Sequence, residues 1–211
     1  MGVRFGVVKL YYTPTSPFVR KVLVAARELG LADRIETELL RPTPTKADPT
    51  LSKANPLNKI PALILEDGTT LYDSPVICEY LAVLAGSSTM LPPTGAERWR
   101  VLRLQALCDG ILDAGILYFY ERHHRPKEFW WSEWLDGQRE KAQQGLDALD
   151  REASHFDEAR VDLAQVCAGA TIGWLEFRSV FGDVRTGRPT LSHWYDRFST
   201  RESMLATAPH V

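Results

Sequence analysis

The sequence predicts an α/β domain followed by an all-helical domain, and two observations support this prediction. Between residues 7 and 86, short runs of strand-forming residues alternate with amphipathic stretches, whereas the pattern from residue 95 onward is helical throughout. The stretch SSTMLPPT at 87–94 separates the two patterns and reads as a linker. The expected organisation is therefore an α/β domain at 1–86, a linker at 87–94 and a helical domain at 95–211.

The opening stretch at 7–29 predicts a strand, a turn and a helix. Residues 7–12 favour a strand, and helical spacing then joins Phe18, Val22, Ala25, Ala26 and Leu29. Ser16 stands at the helix N-cap, and Pro17 follows at the first helical position. Because the N–H groups at a helix start lack intrahelical partners, Ser16 marks a candidate anion site, although a cap alone would explain it.

The rest of the α/β pattern predicts three more strands and a second helix. A strand is expected at 35–40, a loop with at most one helical turn at 41–58, and a hairpin of strands 62–66 and 69–72 around a two-residue Asp67-Gly68 turn. The next helix begins at Asp73-Ser74-Pro75 and ends near Gly86. In a four-stranded mixed sheet, both serine-headed helices would start at neighbouring edges of one surface.

The helical domain is predicted to contain four helices. Thr94 and Glu97 form a candidate capping box for a helix that ends at Arg125-Pro126. Further helices are expected at 132–154, 162–180 and 190–199, and Asp162 with Gln165 repeats the capping-box pattern.

Composition narrows the function classes. The 211 residues are 45% hydrophobic and carry a net charge of −2, so nucleic acid and anionic membranes are not expected partners. The N-terminus lacks the features of a secretory signal, which predicts a cytoplasmic protein. Cys78, Cys108 and Cys167 lie in helical apolar patterns without CxxC or metal-ligand spacing, so we expect them to pack in the core and expect no metal site.

Four segments taken together resemble a cytosolic glutathione S-transferase of the serine type. They are Ser16-Pro17-Phe18, the run NPLNKIP at 55–61, Asp73-Ser74, and Leu91-Pro92-Pro93 ahead of a long helical domain. The resemblance covers nearly the whole chain. It implies a thioredoxin-like N-terminal domain, glutathione as co-substrate, a homodimer and a role in detoxification by conjugation of small apolar electrophiles.

The resemblance also implies roles for individual residues. Ser16 matches the hydroxyl that activates the thiol, and Ile60-Pro61 matches a cis-proline dipeptide whose first residue binds the cysteinyl backbone of glutathione. Asp73-Ser74 matches the pair that holds the γ-glutamyl end. An anion site beside an acidic side chain suits that end, because it carries both a carboxylate and an ammonium group.

Other candidates for the same tasks remain open. Tyr11 and Tyr12 compete with Ser16 as the thiol-activating group, but only Ser16 heads a helix. Lys46 and Lys59 are candidates for the glycine carboxylate, with solvated loop lysines as the alternative. For the electrophile pocket the candidates are Tyr12, Phe18, Tyr118, Tyr120 and His123, with interdomain packing as the alternative.

One contact between the two domains is expected from charge. Asp109 and Asp113 lie four residues apart on one helix and repel each other unless a cation lies between or beside them. Arg20, on the first helix, is the predicted cation.

Three alternative functions are compatible with the same fold. Isomerase activity like that of maleylacetoacetate isomerase is disfavoured because its Ser-Ser-Cys signature is not matched by Thr15-Ser16-Pro17. Peroxidase or dehalogenase activity would use the same thiolate. From a different class, a non-catalytic glutathione-binding or regulatory protein is the remaining alternative, and the intact Ser16, Ile60-Pro61 and Asp73-Ser74 set disfavours it.

Overall fold

The first half of the chain builds a four-stranded mixed sheet covered by helices. The computed structural model describes residues 6–157 and 159–211; the first five residues of the predicted α/β domain lie outside this range. Its elements here are β1 (Val8–Tyr12), α1 (Pro17–Glu28), a 3₁₀ turn (Ala32–Arg34), β2 (Ile35–Leu39), α2 (Pro49–Ala54), β3 (Ala62–Ile64), β4 (Thr70–Leu71) and α3 (Ser74–Leu84). The strand order is β2-β1-β3-β4, with β2 parallel to β1 and the other pairs antiparallel. This arrangement is the thioredoxin-like fold that the resemblance implied.

The second half is helical, as predicted. It contains α4 (Gly95–His124), a 3₁₀ turn (Lys127–Phe129), α5 (Ser132–Ala153), α6 (Leu163–Arg178), α7 (Pro189–Phe198) and α8 (Glu202–Leu205). The four helices that the sequence predicted correspond to α4 to α7. The sequence analysis missed α8, because four residues are too few to show a helical period.

Two local predictions were wrong. The Thr94 side chain makes no capping bond, since Gly95 enters α4 through a left-handed φ of +87°, and Glu97 pairs with Arg100 instead. The hairpin loop has three residues rather than two, because the Leu65 N–H donates to the Thr69 carbonyl at 2.8 Å. The predicted cap at Asp162 is confirmed, since its carboxylate accepts from the Gln165 N–H at 3.0 Å.

Helix α6 joins the two domains. Nearly all of its residues are buried, and it packs against both α1 and α4. Gly173 lies at the closest approach: a Cβ there would be 2.2 Å from Arg20 Nη1 and 2.8 Å from the Tyr195 hydroxyl oxygen. The neighbouring Trp174 donates from Nε1 to the Thr15 carbonyl at 3.1 Å. The start of α1 is therefore held directly by the helical domain.

The predicted contact between Arg20 and the Asp109–Asp113 pair was wrong by one residue. Lys21 Nζ lies 2.6 Å from Asp109 Oδ1 and 2.9 Å from Oδ2. Arg20 instead donates to the Met204 carbonyl at 3.1 Å. Successive residues on a helix point about 100° apart, so when Arg20 faces α6 and α8, Lys21 faces α4.

In the Lys21–Asp109 pair, Lys21 is completely buried and Asp109 is mostly buried. The side chain of Lys21 is 1% exposed and that of Asp109 is 19% exposed. Burial opposes the charge on Lys21, but the adjacent Asp109 carboxylate keeps the pKa of Lys21 raised, so the ammonium remains protonated. Burial raises the pKa of Asp109, and Lys21 opposes this shift. Each charge therefore depends on the other for its stability inside the protein.

We predict that Lys21→Met will lower the free energy of unfolding by about 3–5 kcal/mol, because it leaves the Asp109 carboxylate buried without a partner. Chemical denaturation measures this loss. The double variant K21M/D109L removes both charges and should recover most of it. As a control, Lys9→Met breaks an exposed pair with Glu38 and should change stability far less. Equal losses in K21M and K21M/D109L would contradict the interpretation.

Candidate active site

The register of the sheet brings three predicted segments to one end. Tyr11 pairs with Ala62 across β1 and β3, and Leu63 pairs with Leu71 across β3 and β4. The chain that leaves β1 toward Ser16, the chain that enters β3 from Pro61, and the chain that leaves β4 toward Asp73 therefore lie side by side. Because β2 is parallel to β1, the loop toward Lys46 also leaves from this end.

Ser16 caps α1 as predicted. Its backbone is extended, with φ −84° and ψ 124°, and its hydroxyl oxygen accepts from the Val19 N–H at 3.3 Å. This bond uses the acceptor function of the hydroxyl. Ser16 is half-buried, so the hydroxyl proton can still be donated to a group bound at the helix start.

The loop before β3 has the cis-proline that the resemblance implied. The Ile60–Pro61 peptide bond is cis. Asn55, which is 1% exposed, holds this loop by donating from Nδ2 to the Lys59 carbonyl at 2.8 Å and accepting from the Leu57 N–H at 3.0 Å. Sequence reasoning used Asn55 only as part of a motif; its buried amide is what fixes the path of the chain into Ile60.

Asp73 and Ser74 form the start of α3. The Asp73 side chain makes no capping bond and is exposed, so its carboxylate is available to a ligand. Ser74 is buried at the first helical position. This helix start thus presents a carboxylate together with the partial positive charge of the helix N-terminus.

The two candidate lysines have different surroundings. Lys59 is exposed and lies close enough to Asp113 to influence it: burial raises the pKa of Asp113, and Lys59 acts in the opposite direction. Lys46 lies in the exposed loop after β2, where Thr43 and Lys46 form an isolated bridge. Of the two, Lys59 is the one that the structure places beside other charged side chains.

The two tyrosines of β1 point to opposite faces of the sheet. Tyr12 packs with the main core on the α1 side, whereas Tyr11 packs with Leu51 and Ala54 of α2. A cavity of about 340 Å³ adjoins Ser16 and is lined by Tyr12, by α1, by β2 and by residues 206–208 and 210 near the C-terminus. Tyr12 therefore shares a cavity with Ser16, and Tyr11 does not line it.

The other aromatic candidates separate into two groups. Tyr118 is buried between α4 and α5, where its hydroxyl accepts from Arg122 at 3.0 Å and from Arg139 at 2.6 Å. Burial opposes the phenolate, but these hydrogen bonds lower the pKa of Tyr118. Phe18 lies on α1 with Lys21 Nζ 5.6 Å from its ring.

Tyr120 and His123 lie on the other side of α4. The His123 ring stacks on Phe119 at 3.9 Å, and Tyr120 is 37% exposed. Sequence reasoning did not assign two residues of α6 to this site: Trp174 contacts Phe119 edge-on at 6.3 Å, and Arg178 lies over the Phe119 ring at 4.9 Å. The helical spacing of Trp174 and Arg178 was a usable signal, but only the packing of α6 on α4 shows which face they share.

The protein's own cysteines are buried, as predicted. Cys78, Cys108 and Cys167 are free thiols. Burial raises the pKa of Cys78 and of Cys108 to about 12, against a smaller opposing effect of Lys21. Among residues 6–157 and 159–211, no group of three His, Cys, Asp or Glu side chains could hold a metal ion, and no helix is long and apolar enough to cross a membrane.

Comparison with known proteins agrees with this architecture. Sequence models of two domain families match the chain: "Glutathione S-transferase, N-terminal domain" at residues 15–84 and "Glutathione S-transferase, C-terminal domain" at residues 132–197. The uncharacterized GST-like protein YibF of Escherichia coli K12 is 35% identical over 204 residues, covering 96% of this chain and 98% of YibF.

Solved structures give the same result. A glutathione transferase family member from Pseudomonas fluorescens Pf-5 with bound glutathione has 40% identity and a TM-score of 0.93, covering 97% of this chain and 100% of the other. A second structure of a Pseudomonas fluorescens Pf-5 glutathione transferase family member, with bound S-(propanoic acid)-glutathione, has 39% identity and a TM-score of 0.88. The match covers 96% of this chain and 100% of the other.

Fold and site together define a two-domain protein with a thioredoxin-like sheet and a helical domain packed against its first helix. The chain belongs to the glutathione S-transferase family.

We predict that the three cysteines will not react with a thiol reagent in the folded protein. A buried thiol with a pKa near 12 supplies almost no thiolate at neutral pH. A colorimetric disulfide reagent should detect three thiols in guanidinium chloride and none within minutes in native buffer. Rapid native labelling, or loss of activity on labelling, would show that a cysteine is accessible and contradict the assignment.

Proposed function

We propose that this protein binds glutathione and activates its thiol for attack on small apolar electrophiles. The observation that carries the proposal is the state of Ser16: its oxygen accepts from the Val19 N–H at the start of α1, so its proton is free to be donated to a thiolate. Family membership and the glutathione bound to the relative from Pseudomonas fluorescens support the same ligand.

The energy required is within reach of this arrangement. A free thiol has a pKa of about 8.5, and lowering it by about two units costs roughly 2.7 kcal/mol of preferential thiolate stabilisation. A hydrogen bond to a charged group contributes about 1.5–3 kcal/mol, and a helix N-terminus typically adds about 0.3–1 kcal/mol. The Ser16 hydroxyl and the N-terminus of α1, where the Phe18 N–H has no intrahelical acceptor, together can supply the shift.

The remaining parts of the ligand would occupy the same end of the sheet. In the proposed complex, the backbone of Ile60 pairs with the cysteinyl residue, beside the cis Pro61. The Asp73 carboxylate binds the γ-glutamyl ammonium, and the N-terminus of α3 at Ser74 binds its carboxylate. Lys59, with Lys46 as the second candidate, would meet the glycine carboxylate.

The proposed reaction requires no group besides the two substrates. The thiol gives its proton to solvent as Ser16 stabilises the thiolate. The sulfur lone pair then forms the bond to the electrophilic carbon, and the leaving group departs with its electron pair. Catalysis would come from thiolate stabilisation and from positioning.

We further propose a cytosolic homodimer. Glutathione keeps cytosolic thiols reduced, and three free cysteines are compatible with that compartment. Sedimentation equilibrium of the purified protein tests the dimer, since a monomeric mass at micromolar concentration would contradict it.

The alternatives on this fold are separated by turnover. Isomerase, peroxidase and dehalogenase activities would use the same thiolate, so assays with each electrophile class assign the reaction. Glutathione binding without turnover on any of them would favour the non-catalytic binding protein.

We predict that Ser16→Ala will lower kcat/KM by about ten- to hundredfold and raise the pKa of bound glutathione, because the hydroxyl donor is lost. The thiolate absorbance of the complex, titrated against pH, measures that pKa. Ser16→Thr keeps the hydroxyl and should retain most of the activity.

A second variant separates catalysis from helix capping. Glycine is a good N-cap residue, so Ser16→Gly should keep α1 stable within a few tenths of a kcal/mol while removing the hydroxyl. We expect S16G to match S16A in activity and the wild type in stability. An unchanged thiol pKa in both variants would move the activating role to Tyr12 or to the backbone.

We predict that Asp73→Asn will weaken glutathione binding by about tenfold, or roughly 1.4 kcal/mol, because the ammonium loses its charged partner. Isothermal titration calorimetry with glutathione, and with an analogue in which a glutaryl group lacks the ammonium, measures the effect. D73N should weaken binding of the analogue far less than binding of glutathione. Glu36→Gln, which neutralises an exposed carboxylate on β2, is the control and should change neither of the two affinities. An equal loss for both ligands would contradict the pairing.

A further inference from the structure

Arg178, in the last turn of α6, is a cation in contact with two aromatic rings. Its guanidinium carbon lies 4.9 Å from the ring centre of Phe119 and 5.0 Å from that of Phe177. Within residues 6–157 and 159–211, no carboxylate lies within salt-bridge distance of Arg178 and no hydrogen-bond partner is formed. The rings hold the planar group in a fixed place through cation–π contacts and leave its N–H donors unused.

Two carboxylates on the helices that carry Arg178 and Phe119 are engaged elsewhere. Glu176, two residues earlier on α6, lies 3.7 Å from Arg185, and Glu121 on α4 pairs with Arg125 at 2.9 Å. The guanidinium Nε of Arg178 is buried without a partner. A cation near a helix C-terminus gains from the helix dipole, which accounts for an arginine at this end of α6 but not for its aromatic clamp.

Contacts connect Arg178 to the proposed thiol site. Trp174 precedes Arg178 by one helical turn, or about 6 Å along α6, and donates to the carbonyl of Thr15, the residue before Ser16. Phe119 contacts both, with its ring centre 6.3 Å from that of Trp174 and 4.9 Å from the guanidinium carbon of Arg178. Trp174 is buried and Phe119 is partly exposed, so a packed row of rings connects the residue before Ser16 to the guanidinium and reaches the surface at Phe119.

Tyr120, on α4, also lies near Arg178. Burial raises the pKa of Tyr120, and the positive charge of Arg178 acts in the opposite direction. The phenol, which is 37% exposed, and the guanidinium therefore lie near each other, at the Phe119 end of this row of rings. A ligand group that reaches this point meets a charged donor next to a neutral hydroxyl.

We propose that Arg178 binds a carboxylate of the electrophile and so makes the protein selective for electrophiles with an apolar body and an acidic end. The inference rests on the proposed function and specifies its substrate class. The apolar body lies against the partly exposed ring of Phe119 and against Tyr120 with its reactive carbon toward the thiolate, and the carboxylate takes the Nη donors of Arg178.

A matched pair of electrophiles tests the proposal. 4-Chloro-3,5-dinitrobenzoate and its amide have the same ring and leaving group and differ in charge at the end opposite the chlorine. In both, the sulfur of glutathione bonds to the carbon that carries chlorine, chloride leaves with the bonding pair, and the thiol proton goes to solvent. Each rate is divided by the uncatalysed rate of the same compound, so that intrinsic reactivity cancels.

We expect Arg178→Gln to lower the acid-to-amide ratio of kcat/KM by about ten- to hundredfold, the range for a lost hydrogen bond to a charged group. The acid-to-amide ratio of R178K should lie between those of the wild type and R178Q, since lysine keeps the charge but loses the planar guanidinium. Arg103→Gln removes an exposed arginine of α4 that pairs with Glu152, and it should leave the ratio unchanged. Circular dichroism and the melting temperature of each variant verify folding.

The outcomes separate the two proposals. If the wild type conjugates both compounds but R178Q keeps the wild-type ratio, the carboxylate role of Arg178 is overturned while the transferase function stands. If R178Q and R103Q change the ratio equally, the effect is one of net charge, and the inference fails. If the wild type binds glutathione but conjugates neither compound, both the proposed function and the inference about Arg178 are overturned.

Discussion

The contact between α1 and α6 determines the geometry of the site. Gly173 lets the two helices approach until Arg20 fills the space that a side chain there would occupy. Trp174 then reaches across to the Thr15 carbonyl, directly before the residue that caps α1. The position of Ser16 is thus fixed from two sides, by the strand that leads into it and by a helix of the other domain. A proposed active site between the two domains requires such a contact, since a loose interface would let the thiol and the electrophile move independently.

The buried ion pair adds a second constraint at the same interface. Lys21 follows Arg20 directly, and the two residues face different helices of the helical domain. Because an unpaired buried charge is costly, the rotation of α1 about its axis is strongly specified: any turn that brings Arg20 toward α4 separates Lys21 from Asp109. Ser16, at the start of the same helix, follows β1 at the sheet end where Pro61 and Asp73 also lie.

The sequence was most informative where a local rule determines structure. Ser16-Pro17 indicated a helix start, and the strand and helix periods gave most elements, because caps and periodicity depend on neighbouring residues. The cis bond before Pro61 could be expected only from the resemblance, since proline alone seldom implies it. The choice between Arg20 and Lys21, and the shared face of Phe119, Trp174 and Arg178, could not be predicted. Both depend on how helices far apart in sequence rotate against each other, which no local pattern records.

The three cysteines of the protein have surroundings that differ from those of the proposed thiol site at Ser16. Cys78 and Cys108 lie within the electrostatic influence of the Lys21 ammonium, yet their pKa values are raised, because complete burial outweighs one nearby cation. The start of α1 differs: Ser16 is half-exposed, its hydroxyl proton remains available, and the Phe18 N–H has no intrahelical acceptor. The cation therefore does not activate the buried thiols, whereas Ser16 offers a hydroxyl donor and a helix N-terminus at a position that a ligand can reach. This supports the proposal that Ser16, rather than a cationic side chain, sets the reactivity of a bound thiol.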